Sequence, residues 1–190
     1  YRQNFDRCHD RLNAEHVTLV LNGEADGLTD FVAKTLDADA RTDQYTMEDC
    51  MSMVGSIACN GGEINSEFVI LNRQTAENRR IGKAEITEDS EYTSGVYLPM
   101  LYRSEDSLTA GSEVDITIGS HTGRYTVCGF LNSAMQGSHN CYMCTLIFTD
   151  DKYEELEKIG CAPKSTLVSV RIRNLSENED FEAALKNAVS

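Results

Sequence analysis

The residues best suited to chemistry in this chain are its seven cysteines, two of which, Cys141 and Cys144, have the spacing C-x-x-C. That spacing serves thiol redox chemistry or provides half of a zinc site. His139 and Cys128 are near enough along the chain to complete a set of four ligands. A zinc site usually has a second pair at matching spacing, and none is present. We therefore favour structural disulfides over free buried thiols and over metal or redox function.

Cys50 and Cys59 are the other two candidate disulfide residues, because they lie nine positions apart across a predicted turn. A high cysteine count in a chain of 190 residues fits an oxidising compartment. Since seven is odd, at least one thiol stays free or pairs between molecules. A secreted Cys-dependent enzyme is a further alternative, and it would need a thiol whose pKa is lowered.

No other motif predicts catalysis or a cofactor. The four histidines accompany no G-x-S-x-G elbow, and the stretches 119–121 and 137–139 are typical of turns. Paired carboxylates are so abundant that they nominate no general acid or base. A calcium loop counted from Asp37 has Arg41 at a ligand position and Thr42 where glycine is required. We therefore predict a non-enzymatic protein with no catalytic, cofactor-binding or metal-binding residue.

Composition restricts the partners of this chain. Its 17 basic and 31 acidic residues give a net charge of −14, which repels nucleic acids and anionic lipids. Hydrophobic residues make up 41% and charged residues 25%, as in globular domains. No apolar run approaches the roughly 18 residues that span a bilayer. The chain has no initial Met and no signal sequence, so we expect it to be part of a longer protein.

Both ends of the chain have the pattern of alternating helices and strands. Apolar spacing predicts a helix over 1–14, a strand at 16–21, a helix from 26 and a long hairpin over 43–71. Towards the other end, a strand at 145–148, a helix at 150–159 opened by Thr149 and a strand at 166–173 follow. The S-x-x-E sequence from Ser176 to Glu179 predicts a capping box for the last helix.

The middle of the chain has the pattern of a sheet with one solvated face. Val114, Ile116 and Ile118 alternate with polar residues, and a turn at 119–123 leads into a second strand at 124–130. We therefore predict an α+β fold with two lobes. Residues 1–74 and 146–190 form an α/β lobe, and residues 75–145 form an inserted β-rich lobe.

The order of features at residues 95–157 resembles the extracytoplasmic (MacB-like periplasmic core) domain of FtsX-like ABC transporter permeases. The features are Val96-Tyr97-Leu98-Pro99, Ser107 to Glu113 leading into an alternating strand, Val127-Cys128-Gly129-Phe130, Met135-Gln136-Gly137-Ser138 and Phe148 to Leu156. The helices predicted at 1–14 and near the other end resemble extensions of membrane-spanning helices in that family. Ser112 departs from the family, which often has an acidic residue there, and the cysteines match none of its motifs.

The resemblance implies an extracytoplasmic domain of a permease subunit in the bacterial cell membrane. Such a domain couples membrane-helix motion, driven by a separate cytoplasmic ATPase subunit, to substrate export or to a cell-surface partner. An extracellular peptide or protein partner is implied as well, and a homodimer stays open. The alternative function is a secreted or surface binding or adhesion module that recognises a peptide or protein.

Overall fold

A computed structural model describes residues 10–23, 27–104, 108–133 and 143–189 of the chain. Nine strands and four helices longer than one turn lie in these residues. They are β1 Val17–Asn22, α1 Leu28–Ala38, β2 Thr42–Cys59, β3 Gly62–Asn72, α2 Arg73–Asn78, β4 Ala84–Glu88, β5 Val96–Pro99, β6 Glu113–Ile118, β7 His121–Ser133, β8 Met143–Phe148, α3 Asp150–Ile159, β9 Lys164–Ile172 and α4 Asn178–Val189. Two 3₁₀ turns, Met100–Tyr102 and Leu175–Glu177, follow β5 and precede α4.

All nine strands belong to one sheet, in the order β1-β9-β2-β3-β8-β5-β7-β4, with β6 pairing with both β2 and β7. The β6 pairings join β2 to β7, so β2, β3, β8, β5, β7 and β6 form a closed six-stranded ring. β3 and β8 are parallel, as are β5 and β7. The α+β class that the sequence predicts is confirmed.

β2 connects the ring to a second part of the sheet. Its first half, Thr42 to Met51, pairs with β9, and its second half, Met51 to Cys59, pairs with β3. β1 pairs with the other edge of β9. Strands from both predicted lobes therefore pair within one ring, and the two-lobe division at residues 75 and 145 stays a prediction.

Three buried clusters hold these elements together. The inside of the ring is filled by apolar side chains from all six strands, with Tyr153 and Leu156 contributed by α3. A second cluster lies on the outer face of the sheet, where Ala76 of α2 packs. In the third cluster, α1 and α4 pack on β1 and β9 through residues such as Val32 and Phe181. Burial of apolar surface at about 25 cal/mol per Å² is the main stabilising contribution in each.

Several local predictions are confirmed within one or two residues. β1, α1 and the β2–β3 hairpin form where the sequence predicts them, and α3 has the predicted bounds. The β6–β7 hairpin forms as well, but β7 extends three residues beyond the predicted strand 124–130 at each end. The capping box is wrong: Ser176 lies in the 3₁₀ turn before α4, and its backbone N–H and its hydroxyl both donate to the Asn174 side chain. Of the predicted helix at 1–14, residues 1–9 lie outside the described residues.

Candidate functional site

Residues 14–16, directly before β1, are bonded to the last residues of β9. The backbone N–H of His16 donates to the Val170 carbonyl at 2.8 Å, and the Ile172 N–H donates to His16 Nδ1 at 3.0 Å. The Arg171 guanidinium donates to the Ala14 carbonyl. The segment that leads into β1 is therefore bonded to the same stretch of β9 that leads out towards α4.

Residues 10–16, which we call the N-terminal segment, also contact the loop before β4. The N–H groups of Gly82 and Lys83 donate to the carbonyls of Asn13 and Leu12, both at 2.9 Å. The Asn13 side chain donates to the Arg80 carbonyl at 2.8 Å. Leu12 is only 3% exposed, so the segment is packed as well as hydrogen-bonded. It links β9 to the loop at residues 79–83.

The C-terminal helix α4 packs on β1 and β9. Phe181 is buried, and the Arg41 guanidinium lies 5.2 Å from the centre of its ring. Arg41 also forms a two-point ion pair with Asp39, in which Nε to Oδ1 is 2.9 Å and Nη2 to Oδ2 is 2.6 Å. Hydrogen bonds from Arg41 hold the pKa of Asp39 below its usual value. The Arg173 N–H donates to the Arg41 carbonyl, which connects this corner to the end of β9.

A buried ionic group lies beneath the N-terminal segment. The Arg79 side chain has no exposed surface; its Nε lies 3.4 Å from Glu48 Oε2, and its Nη2 donates to Ser169 Oγ at 3.0 Å. Burial raises the pKa of Glu48, and the nearby Arg79 charge opposes that rise. A buried charge is costly unless it is paired, so each of these groups depends on the other.

Glu15 brings a second carboxylate to this place. Both of its carboxylate oxygens are buried, and neither has a hydrogen-bond partner within the described parts of the chain. A Cβ on Gly82 would lie 2.3 Å from Glu15 Oε2, and Gly82 has φ +62°, which glycine adopts without strain. The Glu15 charge contributes to the raised pKa of Glu48. Displacing the N-terminal segment would therefore remove a charge from a buried ionic group.

Sequence reasoning did not find this group. Glu48 lies in the stretch 43–58, whose mixed pattern gave no sign of a buried charge, and Arg79 follows a short helix with no motif around it. The contact joins residues far apart in the chain, and no local periodicity encodes such a pairing. The one available signal was that Glu48 lies two positions from Thr46 and two positions from Cys50, which are both buried.

The candidate disulfide residues Cys50 and Cys59 lie in one continuous strand, β2, and both thiols are unbonded. The predicted turn between them is wrong. Nine residues of strand span about 30 Å at ~3.3 Å per residue, whereas disulfide Cα atoms lie about 4.4–6.8 Å apart. These two residues therefore do not bond to each other within one chain.

Cys144 of the C-x-x-C pair is 5% exposed inside the ring, with its Sγ 4.0 Å from the Tyr102 hydroxyl. Cys141 lies outside the described residues. That Cys141, Cys144 and the two cysteines of β2 form disulfides stays a prediction.

Burial raises the pKa of the Cys50 thiol to about 12 and that of Cys128 to about 11. It raises the pKa of Cys161 as well. A nucleophilic cysteine needs the opposite shift, because the thiolate is the reactive form. These three thiols are therefore in environments that suppress reactivity, which disfavours each of them as the nucleophile of a Cys-dependent enzyme.

None of the helices within residues 10–23, 27–104, 108–133 and 143–189 combines the length and the apolar composition needed to cross a bilayer.

Comparison with known proteins gives structural neighbours only. No protein-family model matches the sequence, and no curated protein matches it. The chain is similar to the periplasmic region of MacB from Actinobacillus actinomycetemcomitans, with 11% identity, a TM-score of 0.43, and coverage of 98% of this chain and 90% of that one.

Two further solved structures are similar over most of their length. The extracellular domain of the noncanonic ABC-type transporter YknZ from Gram-positive bacteria has 11% identity and a TM-score of 0.38, with 86% of this chain and 88% of that chain covered. A putative lipoprotein from Bacillus anthracis has 10% identity and a TM-score of 0.39, with 89% and 91% covered. The structural neighbours thus include extracytoplasmic domains of ABC-type transporters. Similarity at this level assigns no residue and no activity.

Proposed function

We propose that this chain is the extracytoplasmic domain of a bacterial ABC-transporter permease subunit of the FtsX-like or MacB-like kind. The observation that carries the proposal is that residues 14–16, directly before β1, are bonded to residues 170–172, from which the chain continues into α4. A domain placed between two membrane helices needs its ends close together, since both helices cross the same bilayer. The order of sequence features at residues 95–157 is a second, independent support.

In this proposal the domain relays force and catalyses no reaction. Membrane helices moved by a cytoplasmic ATPase subunit would pull on the N-terminal segment and on α4. The N-terminal segment is bonded to both β9 and the loop at residues 79–83, so its displacement reaches two parts of the sheet at once. α4 is joined to β9 through residues 173–177 and acts at the same place. A closed ring resists deformation, so motion at the ends becomes motion of the whole ring.

The first test concerns the position of the domain in the cell. A membrane-impermeant maleimide is applied to intact cells that carry the full-length protein, and the labelled peptide is located by mass spectrometry. After treatment with a membrane-impermeant reductant, Cys59, which is partly exposed at the end of β2, should be labelled without permeabilisation. Labelling of Cys59 only after the cells are broken would contradict an extracytoplasmic position.

The second test concerns the flanking sequence. Apolar stretches of about 20 residues directly before Tyr1 and after Ser190 in the parent gene are the expected result. A signal peptide upstream with a stop codon directly downstream would refute the permease proposal. It would support the secreted or surface binding module instead.

The third test concerns force transmission. Six Gly and Ser residues inserted after Arg173 in the full-length protein should abolish transport, because slack in the connection to α4 absorbs the displacement. Assembly with the ATPase subunit should be unchanged. The same insertion between Asn60 and Gly61, at the exposed β2–β3 turn, is the matched control and should leave transport intact. Unchanged transport after the first insertion would refute mechanical coupling.

A further inference from the structure

A cleft of about 300 Å³ opens where β2 separates from β3. From Met51 to Cys59, β2 pairs with β3. The residues of β2 before Met51 pair with β9 instead. The parallel strands β3 and β8 end side by side at Asn72 and Phe148, and α2 and α3 begin directly after them. The carboxyl ends of neighbouring parallel strands are a common position for ligand sites.

Acidic and neutral polar side chains line this cleft. The carboxylates belong to Asp49 of β2 and to Asp150, Glu154 and Glu157 of α3, and no Lys, Arg or His is among the described lining residues. Two lysines outside the lining reduce the charge, since Lys164 lies 3.3 Å from Glu157 and Lys158 lies 4.0 Å from Glu154. These two are the described ion pairs of the lining carboxylates, and neither of them involves Asp49 or Asp150. The cleft therefore keeps a negative charge.

Tyr153 provides an observation independent of this charge. Its side chain belongs to the core inside the ring and the residue is only 7% exposed, yet it also lines the cleft. No hydrogen bond within the described parts of the chain involves its hydroxyl, and this atom is not one of the buried polar atoms that lack a partner, so it opens into the cleft. A hydroxyl that faces a cleft without a protein partner is available to a ligand.

The surroundings of Tyr153 keep its hydroxyl neutral. Burial raises the pKa of this phenol above its usual value of 10, and the nearby Cys50, Glu157 and Asp49 raise it further. A neutral phenol oxygen accepts a hydrogen bond from an ammonium or guanidinium group. The carboxylates at the rim favour the same kind of ligand by charge.

We propose that this cleft binds a lysine or arginine side chain of an extended peptide or protein partner, with the Tyr153 hydroxyl accepting a hydrogen bond from the cationic group. The volume of about 300 Å³ is large enough to admit one long side chain. The carboxylate of Asp49 on β2 and those of Asp150 and Glu154 on α3 line the cleft and attract the cation. The inference goes beyond the proposed function and does not depend on it.

The test measures binding of an acetylated, amidated pentalysine peptide to the 190-residue chain by calorimetry. Tyr153→Phe removes only the hydroxyl and should weaken binding about five-fold, the usual size of one hydrogen bond. The double variant Asp49→Asn with Glu154→Gln should weaken binding about ten-fold or more. Its matched control is Asp30→Asn with Glu91→Gln, which removes two exposed charges elsewhere and should change binding less than two-fold.

Three results would overturn the proposal. Equal weakening by the two double variants would show that only the net charge of −14 attracts the peptide. If Tyr153→Phe binds pentalysine as tightly as the parent chain and has the same thermal unfolding, the Tyr153 hydroxyl takes no part in binding. Spermine, which has four charges, is the second probe, and tighter binding of spermine than of pentalysine would assign the cleft to polyamines.

Discussion

Replacing Gly55 by alanine is expected to open the six-stranded ring at the place where β2 pairs with β6. A Cβ at this position would lie 2.0 Å from the Thr117 carbonyl oxygen and 2.6 Å from Cε2 of Phe68. Ordinary contact begins near 3.4 Å, so β6 would have to move away by about 1.4 Å. Phe68 is fully buried and has no space in which to yield.

The magnitude follows from what this displacement disrupts. β2 and β6 are joined through only three residue pairs, from Gly55 with Ile118 to Ile57 with Ile116, and by the bond from the Gly119 N–H to the Val54 carbonyl at 2.9 Å. Overpacking costs about 1–3 kcal/mol, and each lost hydrogen bond costs about 1 kcal/mol. We expect the free energy of unfolding to fall by about 3 kcal/mol. For a chain of this size, that lowers Tm by about 6–12 °C.

The assay is urea and thermal unfolding followed by circular dichroism, with reductant present to keep the thiols reduced. Gly62→Ala is the matched control in the same hairpin, because only the Cys59 carbonyl oxygen, 3.9 Å away, lies near its Cβ position. That variant should be unchanged or more stable by up to about 1 kcal/mol, since glycine is unfavourable in strands. Neutral surface changes scatter by about 0.5 kcal/mol in the free energy of unfolding. If the value for Gly55→Ala lies within about 0.5 kcal/mol of that for the parent chain, the tight closure is refuted.

Three further predictions concern individual groups. Glu48→Gln should lower the free energy of unfolding by about 3 kcal/mol, because it leaves the buried Arg79 charge unpaired, and urea unfolding measures this; no change would contradict the ionic group. Cys50 should resist iodoacetamide at pH 8 in the folded chain and react in urea, since burial raises its pKa to about 12; rapid native alkylation would refute that. Asp39 has a lowered pKa because of Arg41, so its stabilising effect is present above its usual value of 3.8 and is lost as pH falls through the folded pKa. The stability of Asp39→Asn should therefore depend less on pH below 4, as shown by acid titration of both chains.

Local patterns were sufficient to predict most of the helices and strands. α3 is identified by its acidic first turn and by apolar residues at helical spacing, and its bounds do not depend on tertiary contacts. The two hairpins are also short-range, because their turns at Asn60-Gly61 and Gly119-Ser120 contain residues that accept positive φ. The sequence resemblance at 95–157 likewise rests on the order of local features.

β2 is the element for which local reasoning was least successful. Its first half pairs with β9, outside the ring. Its second half is part of the ring and pairs with β6. A strand that changes neighbours at Met51 has no single alternation of apolar and polar residues, so the stretch 43–58 looks mixed. The same change of neighbours creates the cleft beside Asp49 and places Cys50 and Cys59 in one strand, where a turn was predicted.

The sequence by itself determined the acidic charge, the α+β class, most element positions and the absence of any recognisable catalytic motif. Only the tertiary structure decided the closure of the ring, the pairing of Glu48 with Arg79 and the bonding of residues 14–16 to the end of β9. The reason is physical. Periodicity and turn chemistry act over a few residues, whereas these contacts join residues that are tens of positions apart and form only when the strands have been placed side by side.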